Sequence, residues 1–387
     1  MSHGVAEPIE VNVVALRASE NSDPVVLISM DSLYPGRLIR DVFENCLSSC
    51  APEQIFLGSS HTHSAPMIDD TKPRLGALDT RYLSELTYTL RDAFGGWEEA
   101  SGWRTVDLEV GRGEAQHSIN RRRRKRLVVS KHPRLNDVVN APNPSGFTDE
   151  SIVTFVARDQ SGAAQFVVWN YACHPVAFPD PGLVSAHFPH LVRQRLRREL
   201  GDPALPVLFF QGFSGNTRPS ASVQLNGWRS RLLRLVVGPM FSNLSWSHYR
   251  MWSESLAEVV LTATQRSTRL IGDTIFTKRV LIPSERLVSG APETSVSFHS
   301  VTIGDGLCLA GVSAEVVAEY APVIREGSGF DYVMCVGCLD HTVGYVPTAQ
   351  ILSEGGYESG GYCTAFGLGK VAPDVETQFL SAFSNVL

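Results

Sequence analysis

Residues 54–66, Gln-Ile-Phe-Leu-Gly-Ser-Ser-His-Thr-His-Ser-Ala-Pro, decide the fold expected for this chain. The apolar part, 54–57, is typical of a buried strand, and the Gly-Ser-Ser at 58–60 is expected to end it. His61 and His63 follow with a spacing of two residues, so both imidazoles can lie beside one metal ion. In α/β proteins, ligands commonly bind at the carboxyl end of a strand. An isolated pair of this kind is equally often two surface histidines, so the rest of the chain must decide.

Further along the chain, polar residues follow other apolar runs in the same way. The runs at 165–172, 205–210 and 307–310 predict three more strands. The polar residues that follow them, or that stand near the C-terminus, are His174, Asn216, Arg218, Glu315, Tyr345 and Tyr357. Glu315 is expected at the start of a helix. Because each of these side chains follows a strand or opens a helix, we expect them to converge on one edge of the sheet.

Strands and helices alternate along the whole chain. This alternation predicts an α/β architecture in which mixed β-sheets are layered with α-helices. No fixed-period repeat and no linker divides the sequence. Beyond the strands already named, we expect strands at 11–16 and 24–31 and helices at 36–49, 79–93, 189–200, 253–269 and 314–325.

Composition and charge narrow the function. The chain has 387 residues, of which 43% are hydrophobic and 19% charged, and this is enough for a large core. Its net charge of −6 gives no reason to expect nucleic-acid binding. No apolar run approaches the roughly 20 residues of a membrane span, and no signal-peptide pattern follows Met1. The seven cysteines, an odd number, favour reduced, buried thiols in a cytoplasmic protein.

In order and spacing, these residues resemble the catalytic domain of the neutral (alkaline, non-lysosomal) ceramidases, zinc amidases that cleave the N-acyl bond of ceramide. The similarity runs from about residue 11 to residue 367. Tyr357 stands 12 residues after Tyr345, and the family has two tyrosines at the same separation. The resemblance implies a neutral-ceramidase-like α/β fold and one zinc ion per chain.

The resemblance also implies roles for individual residues. The zinc ligands would be His61, His174, Glu315 and Tyr345. His63 would act in catalysis, as the acceptor of a proton from the attacking water. Arg121, in an Asn-Arg pair, and Tyr357 would stabilise the oxyanion, and Arg121 could instead orient the substrate.

Two departures from the family pattern concern the substrate. Residues 215–220 are Gly-Asn-Thr-Arg-Pro-Ser, so Arg218 stands where the family has a serine close to the scissile carbonyl. His187 stands where the family has an aspartate. The zinc set is kept while the substrate-facing set differs, which favours the same chemistry on another substrate. We expect Arg218 and Asn216 to bind it, and Arg218 suits a carboxylate or phosphate.

The extent of the chain adds two expectations. Secreted ceramidases of the family carry a signal peptide and a C-terminal β domain, and this sequence has room for neither. We therefore expect one zinc-hydrolase catalytic domain, 1–387, and a soluble substrate in place of a membrane lipid. Family members also begin with one more strand than the strand expected at 11–16, so an exposed sheet edge would favour a homo-oligomer.

Three features keep two interpretations each. The basic run at 121–126 is either a solvated loop or a positive surface beside an anionic substrate pocket. The aromatic segment 226–250 either lines the substrate site or forms a satellite core. His187 and His190 bracket a predicted helix start, and surface or capping roles are expected for them.

The sequence therefore predicts a zinc-dependent hydrolase that cleaves an amide (N-acyl) bond of a soluble small molecule by means of a metal-activated water. The same zinc site would also suit cleavage of an ester or lactone, or amide formation. The other class of function is a metal-containing protein that binds a small molecule without turning it over.

Overall fold

The computed structural model describes residues 2–97, 102–124, 138–223, 239–292 and 295–387. The α-helices in these ranges are Gly36–Cys46, Thr80–Ala93, Phe188–Leu200, Trp246–Gln265, Tyr320–Ser328, Ala349–Glu354, Cys363–Phe366 and Val375–Ser384. Shorter helical turns are Pro52–Gln54, Ser220–Ser222, Ser284–Arg286 and Tyr357–Gly361.

Three sheets hold most of the strands. The N-terminal sheet pairs Val11–Leu16 antiparallel with Val25–Met30, which pairs parallel with Ile55–Ser59. The central sheet has the order Val207–Gln211, Ala164–Tyr171, Ser151–Arg158, Asp107–Glu114 and Thr268–Arg269, and only its first pair is parallel. The C-terminal sheet has the order Ile275–Pro283, Ser295–Ile303, Leu307–Val312 and Tyr332–Val336, and only its last pair is parallel.

Each of the three sheets buries one face in a shared core and covers the other face with helices. Leu27, Phe155 and Leu309, one from each sheet, lie in the shared core. On the outer faces, helix Gly36–Cys46 packs on the N-terminal sheet, helices Phe188–Leu200 and Trp246–Gln265 on the central sheet, and helices Tyr320–Ser328 and Val375–Ser384 on the C-terminal sheet. The expected α/β architecture of mixed sheets layered with helices is therefore confirmed.

Three small sheets position side chains for the site described below. Glu315–Val316 pairs parallel with Tyr345–Val346, with Glu315 directly opposite Tyr345. Strand Ser118–Arg124 lies between Thr217–Pro219 and Val138–Asn143, both antiparallel to it. Gly4–Val5 pairs parallel with Leu183–Val184.

Most expected elements form where the periodicity places them. The strand expected at 11–16 is present, and Asp79 caps helix Thr80–Ala93 by accepting a hydrogen bond from the Tyr82 amide. The strand expected to end at residue 57 continues to Ser59, because Gly58 and Ser59 keep pairing with strand Val25–Met30.

Two expectations were wrong. The helix expected to start near Glu315 begins at Tyr320, because the backbone of Glu315–Val316 is engaged in pairing with Tyr345–Val346. The basic run is not a solvated loop over residues 121–124: these residues end strand Ser118–Arg124, and Arg121 and Arg122 are buried. The remainder of that run, 125–126, lies outside the described residues, as does the part of the aromatic segment at 226–238.

Two further observations bear on the sequence analysis. Within the described residues none of the seven cysteines forms a disulfide, and all are buried except Cys46, which is half-buried. Within the described ranges, no helix is both long enough and apolar enough to cross a lipid bilayer.

Candidate metal centre

Three atoms that can bind a metal, one each from His61, His174 and Glu315, lie close together although their residues belong to separate parts of the sequence. His61 Nε2 lies 3.2 Å from His174 Nε2. Glu315 Oε2 lies 3.3 Å from the first of these nitrogens and 3.2 Å from the second. All three side chains are at most 3% exposed. His174 and Glu315 follow His61 by 113 and 254 residues in the sequence, yet the three side chains form one compact cluster.

The hydrogen bonds of the two imidazoles indicate that their facing nitrogens carry lone pairs. His61 Nδ1 lies 3.1 Å from the carbonyl oxygen of Leu33, and His174 Nδ1 lies 2.7 Å from that of Ser214. A carbonyl oxygen only accepts hydrogen bonds, so each Nδ1 carries the proton and each neutral ring leaves its Nε2 bare. Two bare nitrogens and a carboxylate oxygen repel one another unless a cation lies between them.

The spacing of the cluster fits a zinc ion. Nitrogen and oxygen ligands lie about 2.0–2.2 Å from zinc, and at the tetrahedral angle they stand about 3.3–3.5 Å from each other. The distances of 3.2–3.3 Å in this structure agree with that separation. His61, His174 and Glu315 are therefore spaced so that together they could hold a zinc ion.

The charges of the cluster also favour a cation. Burial by itself would raise the pKa of Glu315, but the neighbouring His61 and His174 hold it well below its usual value. Burial, together with the positive charge of Arg121, lowers the pKa of His174 to about 4. Burial opposes protonation of His61 as well, yet Cys338 and Glu315 raise its pKa well above the usual range. Without a metal, a proton on His61 beside Glu315 is thus favoured, and a bound metal ion would take the place of that proton between bare nitrogens.

The backbone at His61 is unusual. Its φ is 60°, in the left-handed region that residues with a side chain seldom adopt. His187 and Cys338, which both approach this site, have φ values of 58° and 56°. Such backbone conformations concentrate at functional sites because the surrounding structure must hold them.

Tyr34 orients Glu315 and was not anticipated from the sequence. Its hydroxyl donates a hydrogen bond to Oε1, which leaves Oε2 directed at the two histidines. The Lys72 ammonium lies 4.9 Å from the centre of the Tyr34 ring and 2.6 Å from Asp69 Oδ2. Tyr34 follows strand Val25–Met30 by four residues, so the rule that found His174 could also have found it.

Tyr345 reaches the cluster through its pairing with Glu315. Its hydroxyl interacts with the Glu315 carboxylate and accepts a hydrogen bond of 3.3 Å from Arg121 Nη2. Burial and the charge of Glu315 raise the pKa of Tyr345 well above its usual value. The structure therefore brings Tyr345 to the predicted ligands, and its coordination of zinc remains a prediction.

His63 stands beside the cluster and faces solvent. Its ring centre lies 5.0 Å from that of His61 and 5.9 Å from that of His174, and the nitrogens of the three rings lie within 4.8 Å of one another. The three histidines could therefore also hold a metal. We favour Glu315 as the third ligand because its oxygen is closer and negatively charged. Although the residue reaches the surface, the surrounding protein desolvates its ring; this desolvation, followed by the proximity of His61 and His174, lowers the pKa of His63 well below its usual value.

A pocket of about 350 Å³ opens above these residues. Glu315, Tyr345 and His63 form its polar end. Its remaining walls are mainly apolar: Leu33, Tyr34, Thr62, Ala65, Met67, Leu75, Gly76, Tyr357 and Phe366. A larger groove, of about 650 Å³, lies between the N-terminal sheet and helix Thr80–Ala93 and contains none of the candidate ligands.

Tyr357 lies at the rim of the pocket. It is 37% exposed, and its ring centre lies 5.4 Å from that of Tyr345. Burial of part of the side chain, with the charge of Glu315, raises its pKa to about 12. Tyr357 therefore keeps its hydroxyl proton at neutral pH.

Arg121 belongs to a buried group of paired charges. Its Nε donates to Glu358 Oε1 at 2.8 Å and its Nη2 to the Gly215 carbonyl at 2.6 Å. Arg122 donates to the other oxygen of Glu358 at 2.7 Å and lies 3.3 Å from Glu354. We refer to Arg121, Arg122, Glu354 and Glu358 as the arginine–glutamate cluster.

Arg218 has no such partner. Among the described residues no carboxylate pairs with it, its buried Nε has no hydrogen-bond acceptor, and its guanidinium lies 4.6 Å from the centre of the Phe241 ring. Burial, with the charge of Arg121, lowers its pKa to about 10. Asn216 is engaged instead: its amide donates to both oxygens of Glu319 and accepts from the Ala318 amide.

His187 does not lie on the surface as expected. It is 3% exposed and immediately precedes helix Phe188–Leu200, but its side chain makes no capping hydrogen bond. Its Nε2 lies 2.8 Å from the Oγ of Ser64, and Ser64 is the residue that follows His63 in the chain. Burial lowers the pKa of His187 to about 3.

Comparison with solved structures identifies the fold. The neutral ceramidase from Pseudomonas aeruginosa superposes with a TM-score of 0.74 at 13% sequence identity, over 99% of this chain and 69% of that one. A structure described as ceramidase complexed with C2 gives a TM-score of 0.75 at 12% identity, over 99% of this chain and 70% of that one. The chain has the neutral ceramidase fold.

The resemblance inferred from the sequence is thus confirmed for the fold. No protein-family model matches the chain, and no curated protein sequence matches it significantly. At 12–13% identity the similarity to neutral ceramidases shows the fold and does not establish the activity, which depends on the residues of the site.

Proposed function

We propose that this chain is a zinc-dependent hydrolase that cleaves an amide (N-acyl) bond of a soluble small molecule, with residues 1–387 acting as one catalytic domain. One observation carries the proposal: His61 Nε2, His174 Nε2 and Glu315 Oε2 face one another at 3.2–3.3 Å in a buried cluster. The neutral ceramidase fold is consistent with this chemistry.

His61, His174 and Glu315 would hold the metal, and Tyr345 would complete the set. Bound zinc supplies a water whose pKa falls to about 7 and a positive charge that polarises the substrate carbonyl. Tyr34 and the two backbone carbonyls that accept from the imidazoles keep these side chains oriented. Such outer contacts are a general feature of metal sites.

His63 is the proton acceptor in this proposal. It lines the pocket beside the cluster without being required as a ligand, and its lowered pKa keeps it neutral at pH 7. A neutral imidazole can take a proton from water and pass it to the leaving nitrogen. Removal of the ring would therefore slow the chemical step and leave the metal in place.

Tyr357 and Arg121 contribute differently. The Tyr357 hydroxyl stays protonated at the pocket rim and is available to donate a hydrogen bond to the oxyanion, which is worth about 2.7–4 kcal/mol for a well-placed donor. Arg121 uses its hydrogen bonds on Glu358, Gly215 and Tyr345. Its contacts favour an orienting role through Tyr345 over direct contact with the oxyanion.

We also propose a cytoplasmic location. None of the seven cysteines forms a disulfide within the described residues, which supports a reducing compartment. The homo-oligomer expected from the sequence stays a prediction.

Metal content of the purified protein tests the proposal first. We expect one zinc per chain by mass spectrometry, lost in His61→Ala and retained in His63→Ala. Zinc-loaded wild-type protein should then hydrolyse N-acyl substrates, while His63→Ala should not. A wild-type protein that neither contains nor takes up zinc contradicts the proposal. Turnover of esters or lactones with no amide cleavage would keep the zinc site and replace the reaction.

A further inference from the structure

We infer that Arg218 forms the binding site for a carboxylate of the substrate, so that the amide cleaved by this chain joins an uncharged apolar group on one side to a carboxylate-bearing group on the other. This inference rests on the proposed function and names the substrate class for the same site.

Arg218 is connected to the metal centre through one short loop. The Ser214 carbonyl that accepts the hydrogen bond of His174 Nδ1 also accepts one of 2.9 Å from the amide of Thr217, the residue before Arg218. The Thr217 hydroxyl donates to the Ala172 carbonyl at 3.0 Å, which anchors the same loop. Arg218 is therefore held at a fixed place relative to a proposed zinc ligand.

The charges around the site leave Arg218 without compensation. In the arginine–glutamate cluster the two arginines are matched by two glutamates. Arg218 has no carboxylate partner among the described residues, and the neighbouring sequence 224–238 contains no aspartate or glutamate. Burying part of a guanidinium without an anion is unfavourable, and a bound anion would offset that cost.

The geometry suits one carboxylate. The Phe241 ring supports one face of the guanidinium at 4.6 Å, which leaves its N–H edge for a bidentate bond. Of the guanidinium groups of Arg121, Arg122 and Arg218, only that of Arg218 lacks a carboxylate partner among the described residues, since the other two are paired with Glu358. A singly charged carboxylate therefore matches the site better than a doubly charged phosphate.

The other side of the substrate must be uncharged. Leu33, Met67, Leu75 and Phe366 line the apolar part of the pocket, whose volume of about 350 Å³ lies at the small end of the range for small-molecule sites. A short acyl chain or a small apolar amine fits there. Hydrolysis adds the water oxygen to the acyl carbon and breaks the C–N bond. Both water protons end on the nitrogen, so that a carboxylate and an ammonium ion leave.

Two matched comparisons test the inference on the zinc-loaded protein. N-hexanoylglycine is compared with N-hexanoylethanolamine, which has the same acyl group and no charge. The N-ethyl monoamide of adipic acid places the carboxylate on the acyl side instead. We expect kcat/KM to favour a carboxylate-bearing amide, and the better of the two acids shows which side of the amide faces Arg218.

Arg218→Gln should raise KM for the preferred acid about 10- to 100-fold, because a charged hydrogen bond is lost. Its effect on the neutral amide should be much smaller, because that substrate has no carboxylate to lose, and Arg218→Lys should restore part of the preference. Arg81→Gln, the same change at an exposed helix position paired only with Glu85, is the control and should leave KM unchanged. Circular dichroism verifies that each variant is folded.

A titration without turnover separates this inference from the proposed function. N-hexanoylglycine and the N-ethyl monoamide of adipic acid are each titrated by calorimetry into His63→Gln protein with and without Arg218→Gln. Binding that requires Arg218 supports the carboxylate site even if wild-type protein hydrolyses no amide, a result that would contradict the proposed function alone. Equal hydrolysis of charged and neutral amides, or binding that ignores Arg218→Gln, overturns the inference and leaves the proposed function standing.

Discussion

The metal centre and the arginine–glutamate cluster are neighbouring buried polar groups that differ in how their charges and lone pairs are matched. At the metal centre, His61, His174 and Glu315 present three lone-pair atoms to one another. In the arginine–glutamate cluster every charge meets an opposite charge, as in the 2.8 Å bond from Arg121 to Glu358. The hydrogen bond from Arg121 to Tyr345 joins the two groups.

This difference distinguishes polar groups that stabilise the fold from polar groups that bind a ligand. A buried polar group that is fully paired stabilises one conformation and needs nothing from outside the protein. A buried group whose atoms all accept is stable only with a cation. The metal centre is therefore expected to depend on its ligand, and the arginine–glutamate cluster on its own pairing.

The largest effect is expected from breaking the paired cluster. Glu358→Gln leaves Arg121 and Arg122 buried beside a neutral amide and should lower the free energy of unfolding by about 3–5 kcal/mol. Urea unfolding measures this change. Glu85→Gln, which breaks an exposed ion pair of 3.0 Å, should leave the free energy of unfolding nearly unchanged, because water screens that pair. Equal costs would contradict the comparison.

At the metal centre, stability should depend on zinc. With free zinc at about 100 to 1,000 times its Kd, the folded protein should gain about 2.7–4.1 kcal/mol over chelator-treated protein. His61→Ala should abolish this gain, while His248→Ala, at an exposed position, should keep it. Thermal unfolding with and without zinc is the measurement. A gain that persists in His61→Ala would place the metal elsewhere.

Tyr34 makes a hydrogen bond to Glu315 inside the metal centre, so it tests whether a paired contact there also controls metal binding. Tyr34→Phe frees Glu315 Oε1 and lets the carboxylate rotate, so zinc affinity should fall about 10- to 100-fold. Competition with a chromophoric chelator measures the Kd. Tyr88→Phe, in an exposed side chain, is the matched control. An unchanged Kd in Tyr34→Phe would mean that the protein holds Glu315 by other contacts.

The last effect, which is gradual because it is spread over a range of pH, concerns His299, which lies outside both groups. Its Nε2 donates to the Glu53 carbonyl at 2.8 Å, its Nδ1 has no partner, and burial lowers its pKa to about 4. The unfolded chain takes up a proton near pH 6.5 while the folded chain does not. Stability from this residue is therefore complete above that pH and is lost by about 1.4 kcal/mol per pH unit toward pH 4.

The slope of unfolding free energy against pH measures how many protons the chain takes up on unfolding. His299→Phe should reduce that number by one between pH 6.5 and 4. Urea unfolding at several pH values gives the slope. An unchanged slope would show that His299 titrates normally in the folded protein.

Much of the fold could be predicted because apolar periodicity is local information. The strands near residues 11–16 and 165–172, and the Asp79 cap, were found from spacing alone. The helix expected at Glu315 was wrong because its competitor, Tyr345–Val346, lies 30 residues away. Pairing between distant segments overrode a local helical preference there.

The candidate site divides in the same way. His61, His63 and His174 follow strands directly, so their convergence could be inferred from sequence. Tyr34 has the same placement, but no motif distinguished it from an aromatic core residue. The pairing of Arg121 with Glu358, 237 residues further on, had no local signal at all.

The sequence by itself determined which side chains can bind a metal and which strands carry them, since both follow from residue type and short-range spacing. Only the tertiary structure decided which of the charged groups are paired. Pairing depends on distances between residues hundreds of positions apart, and burial then makes each missing partner costly. For this reason Arg121 and Arg218, both in polar segments of the chain, differ in the folded protein: Arg121 is matched by Glu358 and Arg218 remains open to an anion.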